Sequence, residues 1–328
     1  MKGFLQMRLL KVCGSTRAID KGKQIHKEIL ERSLLEKEIV LGNALVDMYA
    51  KCGELLKAQQ LLGELPNRDI VSWNTLITAY AECGQGHEAL ECFERMQSEG
   101  LSPNEVTLIC ILKACSCTGA IDKGKQIHDD IVGLSLMEVD IALGNALIDM
   151  YVKCGALSKA EEVLKELPIR SVISWNSLIA GYAQQGQGHE ALNCLEKMQT
   201  DGLSPDEVTF LCVLSACSHS ALMGEARRLF GNMERRYGIS PNIEHHTCMI
   251  SVLGSAGRFE EAMSVIKVIP DSDHSDLWLA LLGACRKWGN VKLAQWTFEE
   301  SKIHMDEDYE AAYVCIESIY ASGCMEMV

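Results

Sequence analysis

The stretch Ile39–Gly53 reads IVLGNALVDMYAKCG, and Ile141–Gly155 reads IALGNALIDMYVKCG. The two lie 102 residues apart, and the likeness extends outward from them: across 39–104 and 141–206, 42 of 66 positions are identical without a gap. GQGHEAL stands at Gly84–Leu90 and again at Gly186–Leu192, and AIDKGKQIH at Ala18–His26 and Ala120–His128. A third, partial copy follows, since EVTLICILKACS from Glu105 is echoed by EVTFLCVLSACS from Glu207. Self-similarity at a fixed period marks a repeat architecture, so 328 residues need not divide into two globular domains.

Each third of the long period reads as one helical hairpin. In Ile70–Asn104, Trp73, Leu76, Ile77, Tyr80 and Ala81 fall on one face of a helix. Gly84 and Gly86 break it, Ala89, Leu90, Phe93 and Met96 form a second stripe, and Gly100 and Pro103 end that helix. The hairpins are predicted at 3–38, 39–69, 70–104, 105–140, 141–171, 172–206, 207–242 and 243–274. Two more helices are predicted over 275–308, and the pattern ends inside a further hairpin from Tyr309. The expected fold class is therefore all-α, a solenoid of stacked antiparallel helix-turn-helix hairpins, with a repeat array over 1–274 and an extension over 275–328.

Composition agrees with an ordered helical chain: 48% of residues are hydrophobic and only six are proline. The net charge of −14 opposes nucleic-acid binding by the surface as a whole, although one groove can differ in sign from the rest. No secretory signal follows Met1, and no apolar run reaches the length of a membrane span, so no membrane partner is expected. The 15 cysteines are then expected as reduced thiols. Cys13, Cys115 and Cys217 recur at intervals of 102, as do the pairs Cys52/Cys154, Cys92/Cys194 and Cys110/Cys212, which reads as core packing rather than metal ligation. Trp73 and Trp175 fall on an apolar stripe and are likewise assigned to the core.

The motifs VSWNTLITAY (Val71–Tyr80), ISWNSLIAGY (Ile173–Tyr182), GNALVDMYAKCG (Gly42–Gly53), KQIH (Lys23–His26 and Lys125–His128) and EVTFLCVLSACSHS (Glu207–Ser220) resemble the pentatricopeptide repeat family. The alternation of lengths near 35, 36 and 31 is similar to its plant subfamily of P, L and S repeats. LALLGACRKWGNVKL (Leu279–Leu293) resembles the E-type extension that follows such arrays.

The resemblance implies a right-handed superhelix that binds single-stranded RNA at one base per repeat. It places the fifth and last residues of a repeat at the base edge. Here these are Asn43 with Asp69, Asn74 with Asn104, Asn145 with Ser171, and Asn176 with Asp206. It places the second residues, Val40, Val71, Ala142 and Ile173, where they sandwich bases. By the family's pairing rule the expected preference is U-C-N-C-U. Ile109 and Leu211 at the fifth position of the L repeats leave N, and Thr247 with His274 has no clear reading. A carboxamide both donates and accepts, so Asn suits a pyrimidine edge. An Asn near a helix start also has a capping alternative.

The resemblance further implies a role in C-to-U editing or processing of organelle transcripts, in the mitochondrion or chloroplast, although no transit segment is visible. A deaminase needs His-x-Glu and Cys-x-x-Cys around zinc. His26-Lys27-Glu28 matches the first half inside a repeat, and Cys-x-x-Cys occurs nowhere. No enzyme activity, metal or cofactor is therefore expected, and a partner docking on 275–328 would supply the deaminase. The competing expectation is a protein-binding helical scaffold of tetratricopeptide type, which the acidic charge favours.

Overall fold

The computed structural model describes residues 2–325 apart from 33, 36–37, 135, 137–139, 270–274 and 305–308. Among the described residues it contains nineteen α-helices and no strand. The chain divides into two compact units, 1–169 and 170–328.

The first unit holds five hairpins: α1 (Lys2–Ser15) with α2 (Ile19–Glu31), α3 (Ile39–Lys51) with α4 (Leu55–Glu64), α5 (Ile70–Glu82) with α6 (Gly86–Ser98), α7 (Glu105–Thr118) with α8 (Ile121–Gly133), and α9 (Ile141–Lys153) with α10 (Leu157–Glu166). The second unit holds α11 (Val172–Gln184) with α12 (Gly188–Thr200), α13 (Glu207–His219) with α14 (Met223–Tyr237), α15 (Ile243–Ser255) with α16 (Phe259–Val268), and α17 (Ser275–Lys287) with α18 (Val291–His304), followed by α19 (Tyr309–Met325).

Within the first unit, the first helices α1, α3, α5, α7 and α9 pack each on the next. The second helices α2, α4, α6 and α8 each bridge the first helix of their own hairpin and that of the following one. The second unit repeats the arrangement with α11, α13, α15, α17 and α19 in one layer. Helices of ten to fourteen residues are marginal alone, so neighbours supply most of their stability.

The two layers bury different patterns. First helices are enclosed on several sides, as in α3, where Leu41, Ala44, Leu45, Val46, Met48 and Tyr49 are all buried. Second helices bury one stripe, as in α6, where Ala89, Cys92, Phe93 and Met96 face inward. Leu90, predicted on that stripe, is only half-buried, and Cys92 takes its place. Each fully buried Leu or Phe contributes about 1.5–3 kcal/mol, and truncating Leu76 to Ala would cost about 2–5 kcal/mol. In the second unit the core runs on from Ile250 and Leu253 to Leu277, Trp278 and Leu281, and from there Leu282, Cys285, Phe298 and Ile316 continue it.

Helix boundaries follow local chemistry. Five first helices open on capping boxes: Asp69/Ser72, Asn104/Thr107, Ser171/Ser174, Asp206/Thr209 and Asn242/His245. The turn inside each hairpin needs a left-handed residue. Gly84 supplies it after α5 with φ +73°, whereas Arg17 (φ 52°) and Ala221 (φ 56°) adopt it without being glycine. Gly86 is not a breaker but the first residue of α6. A Cβ there would lie 2.7 Å from the Ala114 carbonyl, so this glycine allows α6 to approach α7.

The periodic cysteines divide by position. Cys13, Cys115, Cys217, Cys92 and Cys194 are buried, as expected. Cys52, Cys154, Cys110 and Cys212 are only half-buried. Cys52 and Cys154 lie at helix ends, where each thiol donates to a backbone carbonyl of the preceding hairpin, Cys13 and Cys115 respectively.

Candidate nucleic-acid interface

The asparagines at the fifth repeat positions sit one turn inside their helices and do not cap them. The closing residues do: Asp69, Asn104, Ser171 and Asp206 are the N-caps of α5, α7, α11 and α13. Capping therefore belongs to the last residue of each repeat, which explains why that position is Asp, Asn or Ser.

Three of the four expected pairs lie within one unit, and all three are in contact. Asn43 Nδ2 donates to Asp69 Oδ1 at 3.2 Å, Asn74 Nδ2 to Asn104 Oδ1 at 3.0 Å, and Asn176 Nδ2 to Asp206 Oδ1 at 3.0 Å. In the fourth, Asn145 is a half-buried residue of α9 in the first unit, and Ser171 caps α11 in the second. Burial works to raise the pKa of Asp69, but hydrogen bonds, the Ser72 backbone N–H and the Asn43 amide among their donors, outweigh it and hold the carboxyl below its usual range. Asp206 is held down in the same way, against burial, by Thr209 and Asn176. Both closing carboxylates are thus ionised acceptors.

The second positions leave large apolar side chains in solvent: Val40, Val71 and Ile173 are 59%, 54% and 63% exposed, and the small Ala142 is exposed as well. Val106 and Val208, in the L repeats, are exposed too. Both occupy the second position of their repeats, and the identical EVT openings at Glu105 and Glu207 are the sequence signal for them.

Val71, Asn74, Asn104 and Val106 line one open groove of 770 Å³ in the first unit. An aliphatic side chain flanks each side of the Asn74–Asn104 pair, and Thr75 and Thr78 add hydroxyls. The charged residues on this wall are Arg17, Asp47, Lys51 and Glu82. Two cations face two carboxylates, and Lys51 pairs with Asp47 at 2.8 Å. The acidic excess of the chain is therefore not concentrated in this groove.

The remaining candidates fall elsewhere. Ile109 and Leu211 are half-buried and offer no polar atom. Thr247 gives its hydroxyl to the Ile243 carbonyl in its own helix, and His274 lies outside the described residues. Trp73 and Trp175 are buried, with their indoles donating to Glu99 and Asp201. His26 is buried and shares a hydrogen bond with the Tyr49 hydroxyl at 2.9 Å, a contact repeated by His128 and Tyr151 at 3.0 Å. KQIH thus serves hairpin packing. Among the described residues no group of three or more His, Cys, Asp or Glu is placed to hold a metal ion, and no helix is long and apolar enough to cross a membrane.

Comparison with known proteins adds three findings. The sequence profile of the PPR repeat family matches residues 68–117 and 170–219, and that of the PPR repeat matches 43–70, 145–172, 208–237 and 244–273. A putative pentatricopeptide repeat-containing protein of Arabidopsis thaliana is 37% identical over 324 residues, 97% of this chain and 63% of the relative. Two further Arabidopsis thaliana pentatricopeptide repeat-containing proteins, one chloroplastic and one mitochondrial, are each 38% identical over 96% and 98% of this chain, which spans 42% and 57% of their lengths. Among solved structures, the pentatricopeptide repeat protein PPR10 in complex with an 18-nt psaJ RNA element superposes with a TM-score of 0.76 over 92% of this chain and 45% of that one, at 18% identity. The structure of PPR10 from maize gives 0.60 over 98% and 52%, at 20% identity. At these identities the likeness concerns the fold.

Proposed function

We propose, for a chain that belongs to the pentatricopeptide repeat family, that its first-helix face binds single-stranded RNA in a sequence-specific way. The observation that carries this reading is the Asn74–Asn104 pair between exposed Val71 and Val106 in a groove of balanced charge. Flat bases stack on aliphatic walls, and the amides meet their edges. RNA bound to PPR10, a protein of the same fold, supports it. The reading assigns Asn43/Asp69 and Asn176/Asp206 to U, and Asn74/Asn104 and Asn145/Ser171 to C. The preference is U-C-N-C-U from the N-terminal end, with Val40, Val71, Ala142 and Ile173 as stacking residues.

On this reading the chain is a specificity factor for editing or processing of an organelle transcript and not itself an enzyme. The chloroplastic and mitochondrial names of its relatives support the location. Residues 275–328 form the E-like extension on which an editing partner docks. Electrophoretic shift at low salt with a U-C-N-C-U oligonucleotide and its scrambled isomer tests the proposal. Preferential binding of the first is expected, with steep weakening by salt. Equal binding of both refutes the assignment, and absence of binding returns the chain to the protein-scaffold reading.

A further inference from the structure

Ser72, Thr107 and Thr209 are the third residues of the repeats that follow Asn43, Asn74 and Asn176, and all three are fully buried. A hydroxyl has one proton and two lone pairs. Its oxygen accepts the N–H of the capping residue, at 3.2 Å from Asp69, 3.2 Å from Asn104 and 3.1 Å from Asp206. The proton has two acceptors in reach. Oδ1 of the reading asparagine lies at 2.5, 2.6 and 2.7 Å from Ser72, Thr107 and Thr209 respectively. Oδ1 of the capping residue lies at 2.9, 2.9 and 2.8 Å. That second oxygen already receives a backbone N–H and the asparagine Nδ2. The nearer and less occupied acceptor is the reading amide.

Each reading amide is thereby locked at both ends. Its oxygen is turned to the buried hydroxyl, and its nitrogen to the closing residue. A flip would set the asparagine oxygen against Oδ1 of the closing residue and forfeit the bond that Nδ2 donates there. One N–H and one lone pair are left for a base.

The chain contains its own controls. Asn43, Asn74, Asn145 and Asn176 are followed in the next repeat by Ser72, Thr107, Ser174 and Thr209, whereas Met7, Ile109 and Thr247 are followed by Leu41, Leu143 and Leu277. Leu211 is followed by His245, which completes a capping box with Asn242, so the cap by itself does not require a hydroxyl.

We propose that Ser72, Thr107 and Thr209 are positioning residues for base specificity, so that each reading element comprises three residues drawn from two adjacent hairpins. The proposal rests on the RNA reading above. The test uses the full chain with Thr107→Val, Thr107→Ser and U-C-N-C-U oligonucleotides altered at the second or the fifth base. Thr107→Val should lose roughly five-fold in discrimination at the second base, the worth of one hydrogen bond, and keep it at the fifth. Thr107→Ser should retain both. Unchanged discrimination at the second base, or equal loss at both bases, overturns the proposal.

A second measurement separates it from the RNA reading. The Asn74 side-chain amide protons, assigned through Asn74→Ala, should be displaced from free-amide shifts and slow to exchange with solvent in wild type and Thr107→Ser, and should move toward free-amide shifts and exchange faster in Thr107→Val. No change in Thr107→Val overturns the positioning role even where RNA is bound. If wild type binds no RNA, the RNA reading fails on its own account, and the specificity proposal falls with it while the amide measurement still reports the lock. If Thr107→Val does not fold, Thr209→Val is measured with the roles of the two bases exchanged.

Discussion

The indole Nε1 of Trp73 donates to Glu99 Oε2 at 3.0 Å, and Arg68 reaches the other oxygen of that carboxylate at 2.7 Å. In the second unit Trp175 and Arg170 converge on Asp201 at 3.2 and 3.0 Å. A buried indole N–H needs an acceptor, whereas a half-exposed ion pair is worth little by itself. The hydrogen bond to tryptophan is therefore the part that matters. Glu99→Ala should destabilise the first unit by about 1–3 kcal/mol, and Glu99→Gln, which still accepts, by less than about 1 kcal/mol. Urea unfolding followed by tryptophan fluorescence distinguishes these outcomes, and equal losses would show that the charge and not the acceptor holds the indole.

Stability should depend on pH in two steps. Burial and the nearby Lys57 lower the pKa of His26, against the pull of Glu64, and burial lowers that of His128. A histidine with a lowered folded pKa stabilises fully above its unfolded value of about 6.5, and this contribution declines as pH falls below it, because the unfolded chain takes the proton first. Asp69 and Asp206 behave as depressed carboxylates: their contribution is complete above the ordinary range near 4 and is lost as pH falls through their folded values. Urea midpoints should hold steady from pH 8 to about 7, decline below about 6.5, and drop again below about 4. Burial, with His245 beside it, also lowers the pKa of His246, so replacing His26, His128 and His246 by Gln should abolish the first decline, and a decline that survives the triple change counts against the assignment.

Ala221 holds a left-handed turn that glycine fills after α5 and in most other hairpins. A left-handed conformation costs an L-residue about 1–2 kcal/mol, and the extra freedom of glycine in the unfolded chain returns about 0.4–1 kcal/mol. Ala221→Gly should therefore stabilise the second unit by about 0.5–1 kcal/mol, seen as a higher melting temperature. A lower one would mean that the Ala221 methyl makes a compensating contact.

Much of this architecture was legible in residue order. The 102-residue period, the glycines at 84 and 100, and the Trp73–Tyr80 stripe locate helices to within a residue or two, because burial and turn conformation repeat with the chain. The contact of Asn74 with Asn104 followed from family resemblance. Periodicity alone left Asn74 as a possible cap, and only the geometry assigns capping to Asn104. In sequence Gly86 reads as a breaker, because its reason, close approach to Ala114, lies on another helix. The Thr107 hydroxyl was invisible for the same reason: a sequence pattern says which face a residue occupies, not which atom across the hairpin takes its proton.

That last distinction makes the closing residue a sharp target. In Asn104→Asp the new carboxylate can cap α7 and accept from Asn74, as Asp69 caps α5 and accepts from Asn43. Asp and Asn cap about equally well, so stability should change by less than about 0.5 kcal/mol. The change falls on the groove, where the donors of an amide give way to a group that only accepts. On the RNA reading, preference at the second nucleotide should move from C to U, while the fifth nucleotide, assigned to Asn176 and Asp206, stays U. Fluorescence anisotropy with U-C-N-C-U and U-U-N-C-U measures this directly. The added negative charge should weaken both complexes somewhat, so the ratio and not either affinity carries the result. A ratio that does not move while the protein stays folded would leave Asn104 a helix cap and nothing more.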